Sequence, residues 1–230
     1  MNRIRTFGCS MTSYHNWQYL VKNHPWDGKT SDPDGDKKCL GNKDYPVEWI
    51  HDGIHLTDYS IAGWGNDIQH IQYANEVYYN NISKDDIIIW QLSSTNRIAI
   101  ENEISGSTND DIRVENIFSG EEFNLTMNNN IHNSYSTYST LWQLNGVKRN
   151  NDKLLVIFGW DFIYPEEKKE IINFLKEHDI DYIEESIVNW TRRHKFLKKD
   201  KDKFHPPQEG YKSFTEGCLL PKLNKLKWLD

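Results

Sequence analysis

The stretch Asp86-Ile87-Ile88-Ile89-Trp90-Gln91-Leu92 predicts a buried strand, because a short apolar run of this kind is typical of one. Two further strand signals lie on either side of it in the chain. Ile4 to Phe7 ends at Gly8, and Lys153 to Phe158 ends at Gly159. Continuous apolar runs suit strands that are covered on both faces, so the three segments predict a parallel sheet flanked by helices.

Helices are predicted between and after these strands. They are Pro46 to His51, Asn66 to Tyr79, Ser134 to Val147 and Pro165 to Glu177, followed by a short strand from Asp181 to Ile183 and a last helix from Pro207 to about Leu223. Strands that alternate with helices predict an α/β fold, here a three-layer α/β/α sandwich with a central, mainly parallel sheet. Ligand sites in such folds form at the carboxyl ends of the strands.

The chain of 230 residues is predicted to form one domain over residues 1–230, since no shift in composition marks a linker. Hydrophobic residues make up 37% of the chain, with 9 Trp and 12 Tyr, which is enough for a core of ordinary size. Two insertions interrupt the pattern, at about residues 15–44 and 101–130. Segments of that length without periodicity are either lids and binding loops or plain surface excursions.

The formal net charge of -7 argues against a nucleic-acid partner, because such proteins need surplus Lys and Arg to displace phosphate counterions. A basic stretch from Arg192 to Lys203 is interpreted as a solvated face. The three cysteines, Cys9, Cys39 and Cys218, are odd in number and lack a short paired spacing. We therefore expect reduced thiols, with neither a disulfide framework nor a zinc site.

No apolar run has the length of a signal-peptide core or of a membrane span. The expectation is therefore a protein made and folded in the cytoplasm, with no membrane partner. Delivery inside a larger assembly leaves no such mark and stays open. The sequence does not indicate an oligomeric state.

The first chemical feature is Thr6-Phe7-Gly8-Cys9-Ser10-Met11-Thr12, in which a strand ends in glycine and Ser10 stands in the turn beyond it. A serine hydroxyl is a poor nucleophile until a neighbouring base removes its proton. Most serines that follow a strand are caps or turn residues. A catalytic interpretation of Ser10 therefore needs partners elsewhere in the chain.

Those partners stand near the other end of the chain, in Asp202-Lys203-Phe204-His205-Pro206-Pro207. An aspartate three residues before a histidine on an irregular turn can accept a hydrogen bond from the imidazole. That bond fixes the tautomer and leaves the second ring nitrogen free to act as a base. Asp202 and His205 are thus candidates for the acid and the base.

Together these segments resemble the SGNH (GDSL-like) hydrolase superfamily, in which the nucleophile follows the first strand and a D-x-x-H motif lies near the C-terminus. Tyr59 to Asn66 resembles the second block of that family, with Gly63 at the position of its glycine. Ser94 to Arg97 stands at the third block, with Asn96 as its asparagine. His205 to Tyr211 resembles the frequent H-P-x-x-x-G-[HY] helix entry, and the blocks follow in the family's order.

The resemblance implies a flavodoxin-like arrangement of the sheet and a serine esterase. Ser10 is implied as the nucleophile, His205 as the base and Asp202 as the residue that orients it. Neither a cofactor nor a metal is required by this chemistry. The implied substrate is a small-molecule or glycan ester with a short acyl group, for example an O-acetyl group on a carbohydrate.

The resemblance also implies an oxyanion hole made by the backbone N–H groups of Ser10 and Gly63 and by the side-chain amide of Asn96. The third block lacks both its usual glycine and its usual aspartate, so Asn66 is an alternative source of the amide. Cys9 replaces the aspartate of the G-D-S block. This departure leaves the nucleophile in place but changes its local hydrogen bonding.

Cys9 is itself a rival nucleophile, although neighbouring residues at a strand end point in opposite directions and the family pattern selects Ser10. His51 and His55 are spaced for one helix face, but without a third ligand they are interpreted as a surface pair. A second functional class also stays open, a noncatalytic carbohydrate-binding or structural module with the same fold. Aromatic side chains would stack on sugar rings in such a module, with Trp17, Trp26, Trp64 and Trp160 as candidates.

Overall fold

A computed structural model describes residues 2–8, 20, 47–51, 53–60, 66–92, 129–160, 165–196 and 206–229. The described strands are β1 (Asn2–Phe7), β2 (Val47–His51), β3 (Ile54–Asp58), β4 (Ile87–Leu92), β5 (Leu154–Phe158) and β6 (Asp181–Ile183). The described helices are α1 (Asn66–Tyr78), α2 (Asn129–Asn150), α3 (Pro165–Glu177), α4 (Ile187–Arg193), α5 (Gln208–Phe214) and α6 (Leu220–Lys225), with a π-helical turn (Thr215–Leu219) between the last two. None of these helices is both long enough and apolar enough to cross a lipid bilayer.

The strands form one sheet in the order β2-β3-β1-β4-β5-β6. All neighbours run parallel except β2, which pairs antiparallel with β3 at one edge. The five parallel strands follow the flavodoxin-like order, in which the chain builds outward on one side of the first strand and then crosses to the other side. The point at which the order switches therefore lies between β1 and β4.

Helices cover both faces of the sheet and close two cores. The core on the side of α4, α5 and α6 contains Ile4, Ile87, Ile89, Ile187, Phe214 and Leu219. The core on the side of α1, α2 and α3 contains Phe7, Ile88, Trp90, Tyr73, Leu144 and Leu175. Residues of β4 alternate between the two cores and all six are buried, as expected for a central strand. The predicted three-layer α/β/α sandwich with a mainly parallel sheet is confirmed.

The helix predicted from Pro46 to His51 is wrong, because Val47–His51 forms the edge strand β2. Six residues are too few for a stable helix without extensive packing, whereas valine, tryptophan and isoleucine favour an extended chain. Antiparallel pairing of this segment with Ile54–Asp58 supplies its backbone hydrogen bonds. His51 and His55 therefore lie on neighbouring strands and not on one helix face.

Two further elements, β3 and α4, had no counterpart among the predicted strands and helices. α4 begins after Ser186, whose side chain accepts a hydrogen bond from the backbone N–H of Asn189 at 3.1 Å. This is an ordinary serine N-cap. The predicted insertions at 15–44 and 101–130 lie outside the described residues, except for Leu20 and residues 129–130.

The last helix, predicted from Pro207 to about Leu223, is present but interrupted by the π-helical turn Thr215–Leu219. Gly217 in this turn lies against the ring of Trp190, since a β-carbon added there would stand 2.7 Å from Cη2. Trp190 also donates a hydrogen bond from Nε1 to Ser213 Oγ at 3.1 Å. The wider turn thus occurs where the tryptophan of α4 comes closest to the backbone of the last helix.

A buried ion pair joins three strands near the amino end of the sheet. Arg5 Nε on β1 lies 3.0 Å from Asp86 Oδ2, and both side chains are almost completely buried. Asp86 also accepts a hydrogen bond from Ser83 Oγ at 2.6 Å and lies 3.4 Å from Arg3. The guanidinium of Arg5 donates to Thr57 on β3. The pair therefore connects β1 to strands on both of its sides.

Removing one partner of such a pair leaves a buried charge uncompensated. We predict that Asp86→Asn lowers the free energy of unfolding by about 3–5 kcal/mol, measured by urea denaturation. The matched control is Asp152→Asn, because Asp152 pairs with Lys84 at 3.4 Å on the surface, and a change below about 1 kcal/mol is expected there. Equal effects of the two substitutions would contradict the assignment.

Candidate active site at the switch point

The candidate site lies at the carboxyl edge of the sheet, where the switch in strand order opens a crevice. β1 stands between β3 and β4, with Phe7 opposite Trp90 and Thr6 opposite Asp58. The chain leaves this edge at Gly8 toward Ser10, which follows two residues later. The three strands that precede the three predicted sequence blocks are therefore neighbours.

The residues predicted to carry the chemistry themselves lie outside the described residues. They are Cys9, Ser10, Gly63, Asn96, Asp202 and His205. What the structure describes are the strand and helix ends that adjoin them: Gly8, Ser60, Asn66, Leu92 and Pro206. Of the predicted site residues only Asn66 is described, and the geometry of the others stays a prediction.

Asp58 ties the ends of β1 and β3 together. Its Oδ1 accepts hydrogen bonds from Thr6 Oγ1 at 2.6 Å and from the backbone N–H of Ser60 at 2.9 Å. The backbone N–H of Tyr59 donates to the carbonyl oxygen of Thr6 at 2.9 Å. Asp58, Thr6 and Ser60 are all buried. This set of bonds fixes the two chain exits that lead toward Ser10 and toward Gly63.

Aromatic side chains pack around Phe7 at the same edge of the sheet and form an aromatic layer. The ring of Phe7 stacks on Tyr59 at 5.1 Å and on Trp90 at 5.4 Å, and Tyr73 of α1 meets it edge-on at 5.7 Å. Burial lowers the pKa of His70, which lies beside Trp90, and raises the pKa of Tyr73 to about 12. Burial therefore favours the neutral forms of His70 and Tyr73 within a closely packed aromatic layer.

Asn66 is the first residue of α1 and is buried. Its Nδ2 donates a hydrogen bond to Thr140 Oγ1 of α2 at 3.3 Å. One amide hydrogen of Asn66 is thus used to join two helices. The alternative role of Asn66 in an oxyanion hole would have to rely on its other amide hydrogen, since each amide nitrogen carries two.

Two buried polar side chains near this edge were missed by sequence reasoning. The amide nitrogen and oxygen of Gln69 and the hydroxyl of Ser60 have no hydrogen-bond partner within the described part of the chain. Buried polar atoms are nearly always paired, so unpaired ones call for an explanation such as a water or a ligand. Gln69 lies three residues after Asn66, which places both side chains on one side of α1. That spacing was the only sequence feature that could have marked Gln69 as a candidate site residue.

The segment after His205 is held against α4. Pro206 is buried, and a β-carbon added to Gly210 would stand 2.9 Å from Thr191 Cγ2 and 3.2 Å from Pro206 Cβ. Tyr211 is buried in the core beneath. Val188 at the start of α4 donates a backbone hydrogen bond to Gly159, which follows β5, at 3.3 Å. The glycine and tyrosine of the H-P-x-x-x-G-[HY] tail thus have packing roles.

No group of three or more His, Cys, Asp or Glu side chains among the described residues is arranged to hold a metal ion. The described part of this edge presents the carboxylate of Asp58, which is bonded to Thr6 and Ser60, together with hydroxyl, amide and backbone groups. Such groups suit the positioning of a nucleophile and the stabilisation of a developing negative charge.

No protein-family model matches the chain, and no curated protein sequence matches it. Solved structures do. The crystal structure of Axe2, an acetylxylan esterase from Geobacillus stearothermophilus, matches with a TM-score of 0.56 and 9% identity, over 100% of this chain and 96% of that chain. A catalytic mutant of the same enzyme gives a TM-score of 0.57 and 9% identity, over 96% and 94% of the two chains.

A lipase/acylhydrolase from Enterococcus faecalis matches with a TM-score of 0.50 and 13% identity, over 98% of this chain and 97% of that chain. These likenesses extend over nearly the whole of both chains, and what they share with this chain is its fold. The chain has an SGNH hydrolase-like fold, as the resemblance of its sequence blocks implied.

The bond between Thr6 and Asp58 gives a direct test of this edge. We predict that Thr6→Val, which keeps the shape but removes the hydroxyl, lowers the free energy of unfolding by about 1–3 kcal/mol, because Asp58 loses a buried donor. Thr6→Ser keeps the donor and is the matched control. Chemical denaturation measures both, and a Thr6→Ser variant that is destabilised as much as Thr6→Val would show that the hydrogen bond is not the cause.

Proposed function

We propose that the chain is a serine esterase that removes a short acyl group, for example acetyl, from a carbohydrate. The observation that carries this proposal is the adjacency of β3, β1 and β4 at the switch point of the sheet. The blocks containing Gly63, Ser10 and Asn96 follow these three strands in the sequence. Groups from all three blocks would therefore start from one edge, where α/β folds bind their ligands.

The proposed reaction is acyl transfer to water. His205 takes the proton of Ser10 Oγ, and the oxygen attacks the ester carbonyl carbon while Asp202 holds the imidazole in position. The intermediate collapses to an acyl-enzyme, and the alcohol leaves with the proton from His205. A water molecule, deprotonated by His205, then attacks the acyl group and releases the carboxylic acid and the free serine.

The negative charge on the carbonyl oxygen would be stabilised by the backbone N–H groups of Ser10 and Gly63 and by the side-chain amide of Asn96. No cofactor enters this scheme. Such donors are effective because they are already oriented when the charge develops. The bonds of Asp58 and the aromatic layer around Phe7 support that orientation by fixing the strand ends that precede Ser10 and Gly63.

The structural neighbours support both the triad and the substrate class. Axe2 is named as an acetylxylan esterase, and its catalytic mutants replace a serine near its N-terminus, an aspartate and a histidine. The aspartate stands three residues before the histidine, which is the spacing of Asp202 and His205 here. Ser10 likewise lies near the N-terminus of this chain.

We predict that Ser10→Ala and His205→Ala each lower kcat/KM for p-nitrophenyl acetate by about 1000-fold or more, because each removes a member of the triad. Cys9→Ala is the matched control and should keep most of the activity. Loss of activity in Cys9→Ala with retention in Ser10→Ala would transfer the role of nucleophile to the cysteine. Equal turnover by the wild type and both triad variants, together with glycan binding, would indicate a noncatalytic carbohydrate-binding module.

A second pair of variants separates the two candidate amides. Asn96→Ala should lower kcat by about 100-fold at unchanged stability, as expected for the loss of one oxyanion donor. Asn66→Ala should instead lower the free energy of unfolding, because the bond to Thr140 is lost, and should leave kcat within about threefold of the wild type. The reverse result in folded variants would assign the oxyanion donor to Asn66.

A further inference from the structure

A groove of about 400 Å³ lies between α2 and α3, on the outer side of the sandwich. Leu141 of α2 and Phe174 of α3 line it as apolar walls. Tyr138 of α2 also lines it and leaves 55% of its surface exposed. An exposed aromatic ring beside apolar side chains is a surface on which a flat, partly apolar ligand can stack.

The α3 side of the groove presents a line of hydrogen-bonding groups. Glu166, Glu170, Asn173 and Glu177 line it at spacings of four, three and four residues, which place them on one helix face. Within the described part of the chain none of them has a hydrogen-bond or ion-pair partner. From Glu166 to Glu177 the line extends over about 16 Å, because an α-helix rises 1.5 Å per residue. It is long enough for a chain of linked rings.

The groove begins at the level of the candidate active site. Glu166 is the second residue of α3, which follows the carboxyl end of β5. Tyr138 stands two residues before Thr140, whose hydroxyl is bonded to Asn66 at the start of α1. Both walls of the groove therefore start near the edge of the sheet where the triad is proposed.

Trp142 extends the aromatic face of α2. It follows Tyr138 by four residues, so the two rings lie on neighbouring turns of one helix side, and 71% of Trp142 is exposed. Two such rings on successive turns form a stripe, which suits an elongated ligand better than a compact one.

From these features we infer that the α2–α3 groove binds the oligosaccharide chain of the substrate, as an accessory site next to the catalytic centre. Sugar rings have an apolar face that stacks on tyrosine or tryptophan and hydroxyl edges that donate to carboxylates and amides. The single Lys169 in the groove adds a donor for the ring and hydroxyl oxygens. The inference rests on the proposed function only for the claim that the bound chain belongs to the substrate.

The binding test uses isothermal titration calorimetry of the wild-type protein with unmodified xylohexaose and cellohexaose, which carry no ester and cannot be turned over. Binding to at least one is expected, and Tyr138→Ala, Trp142→Ala and Glu170→Gln should each weaken it by about fivefold or more. Tyr78→Ala is the matched control, since Tyr78 is an exposed aromatic residue of α1 that does not line the groove. It should leave binding unchanged.

Two results would overturn the inference. One is the absence of binding to both oligosaccharides. The other is binding that is left unchanged by the two groove substitutions, Tyr138→Ala and Glu170→Gln, and by Trp142→Ala on the adjoining surface of α2. Because three glutamates line the groove, a cationic molecule is the alternative ligand. Oligolysine that binds in place of the sugars, with an affinity that falls steeply with salt, would replace the inference by that partner.

The esterase assay separates this inference from the proposed function. Tyr138→Ala should raise KM for an acetylated xylo-oligosaccharide by about fivefold and leave kcat/KM for p-nitrophenyl acetate unchanged. Oligosaccharide binding without any ester hydrolysis would support the groove as a binding site and contradict the proposed esterase activity. Ester hydrolysis without oligosaccharide binding would contradict the groove as a binding site and support the proposed esterase activity.

Discussion

The position of β1 between β3 and β4 holds the centre of the sheet together. Its backbone pairs with both neighbours, with Ile4 opposite Leu56 on one side and Ile87 on the other. Its two buried polar side chains, Arg5 and Thr6, are satisfied by carboxylates of the adjoining segments. A shift of this strand by one residue would exchange the residues of its two faces and leave those charges unpaired.

This constraint also determines what the carboxyl edge of the sheet can do. The bonds of Asp58 close the gap between the ends of β1 and β3, and the rings of Phe7, Tyr59 and Trp90 pack beneath them. Close packing of this kind suits a reaction whose hydrogen-bond donors must be oriented before negative charge develops on the substrate. The amide of Gln69, which has no hydrogen-bond partner among the described residues, lies in the first turn of α1.

The sequence predicted the strands whose burial on both faces leaves a continuous apolar run, as at β4 and β5. It mistook β2 for a helix, because a five-residue edge strand takes its conformation from pairing with β3 and not from its own residues. The π-helical turn depends on a contact between Gly217 and Trp190 that no local pattern reveals. Such contacts are set by tertiary packing.

For the site, order and spacing along the chain predicted Ser10, Asp202 and His205, which stay predictions. Reasoning from spacing missed Asp58 and Gln69, because their importance depends on which atoms they meet or fail to meet in the folded chain. The proposed nucleophile is tested most directly by labelling with a fluorophosphonate, which reacts with activated serines, followed by mass spectrometry. We expect one adduct, on Ser10, and its loss in His205→Ala. An adduct on another residue, or none in the folded wild-type protein, would contradict it.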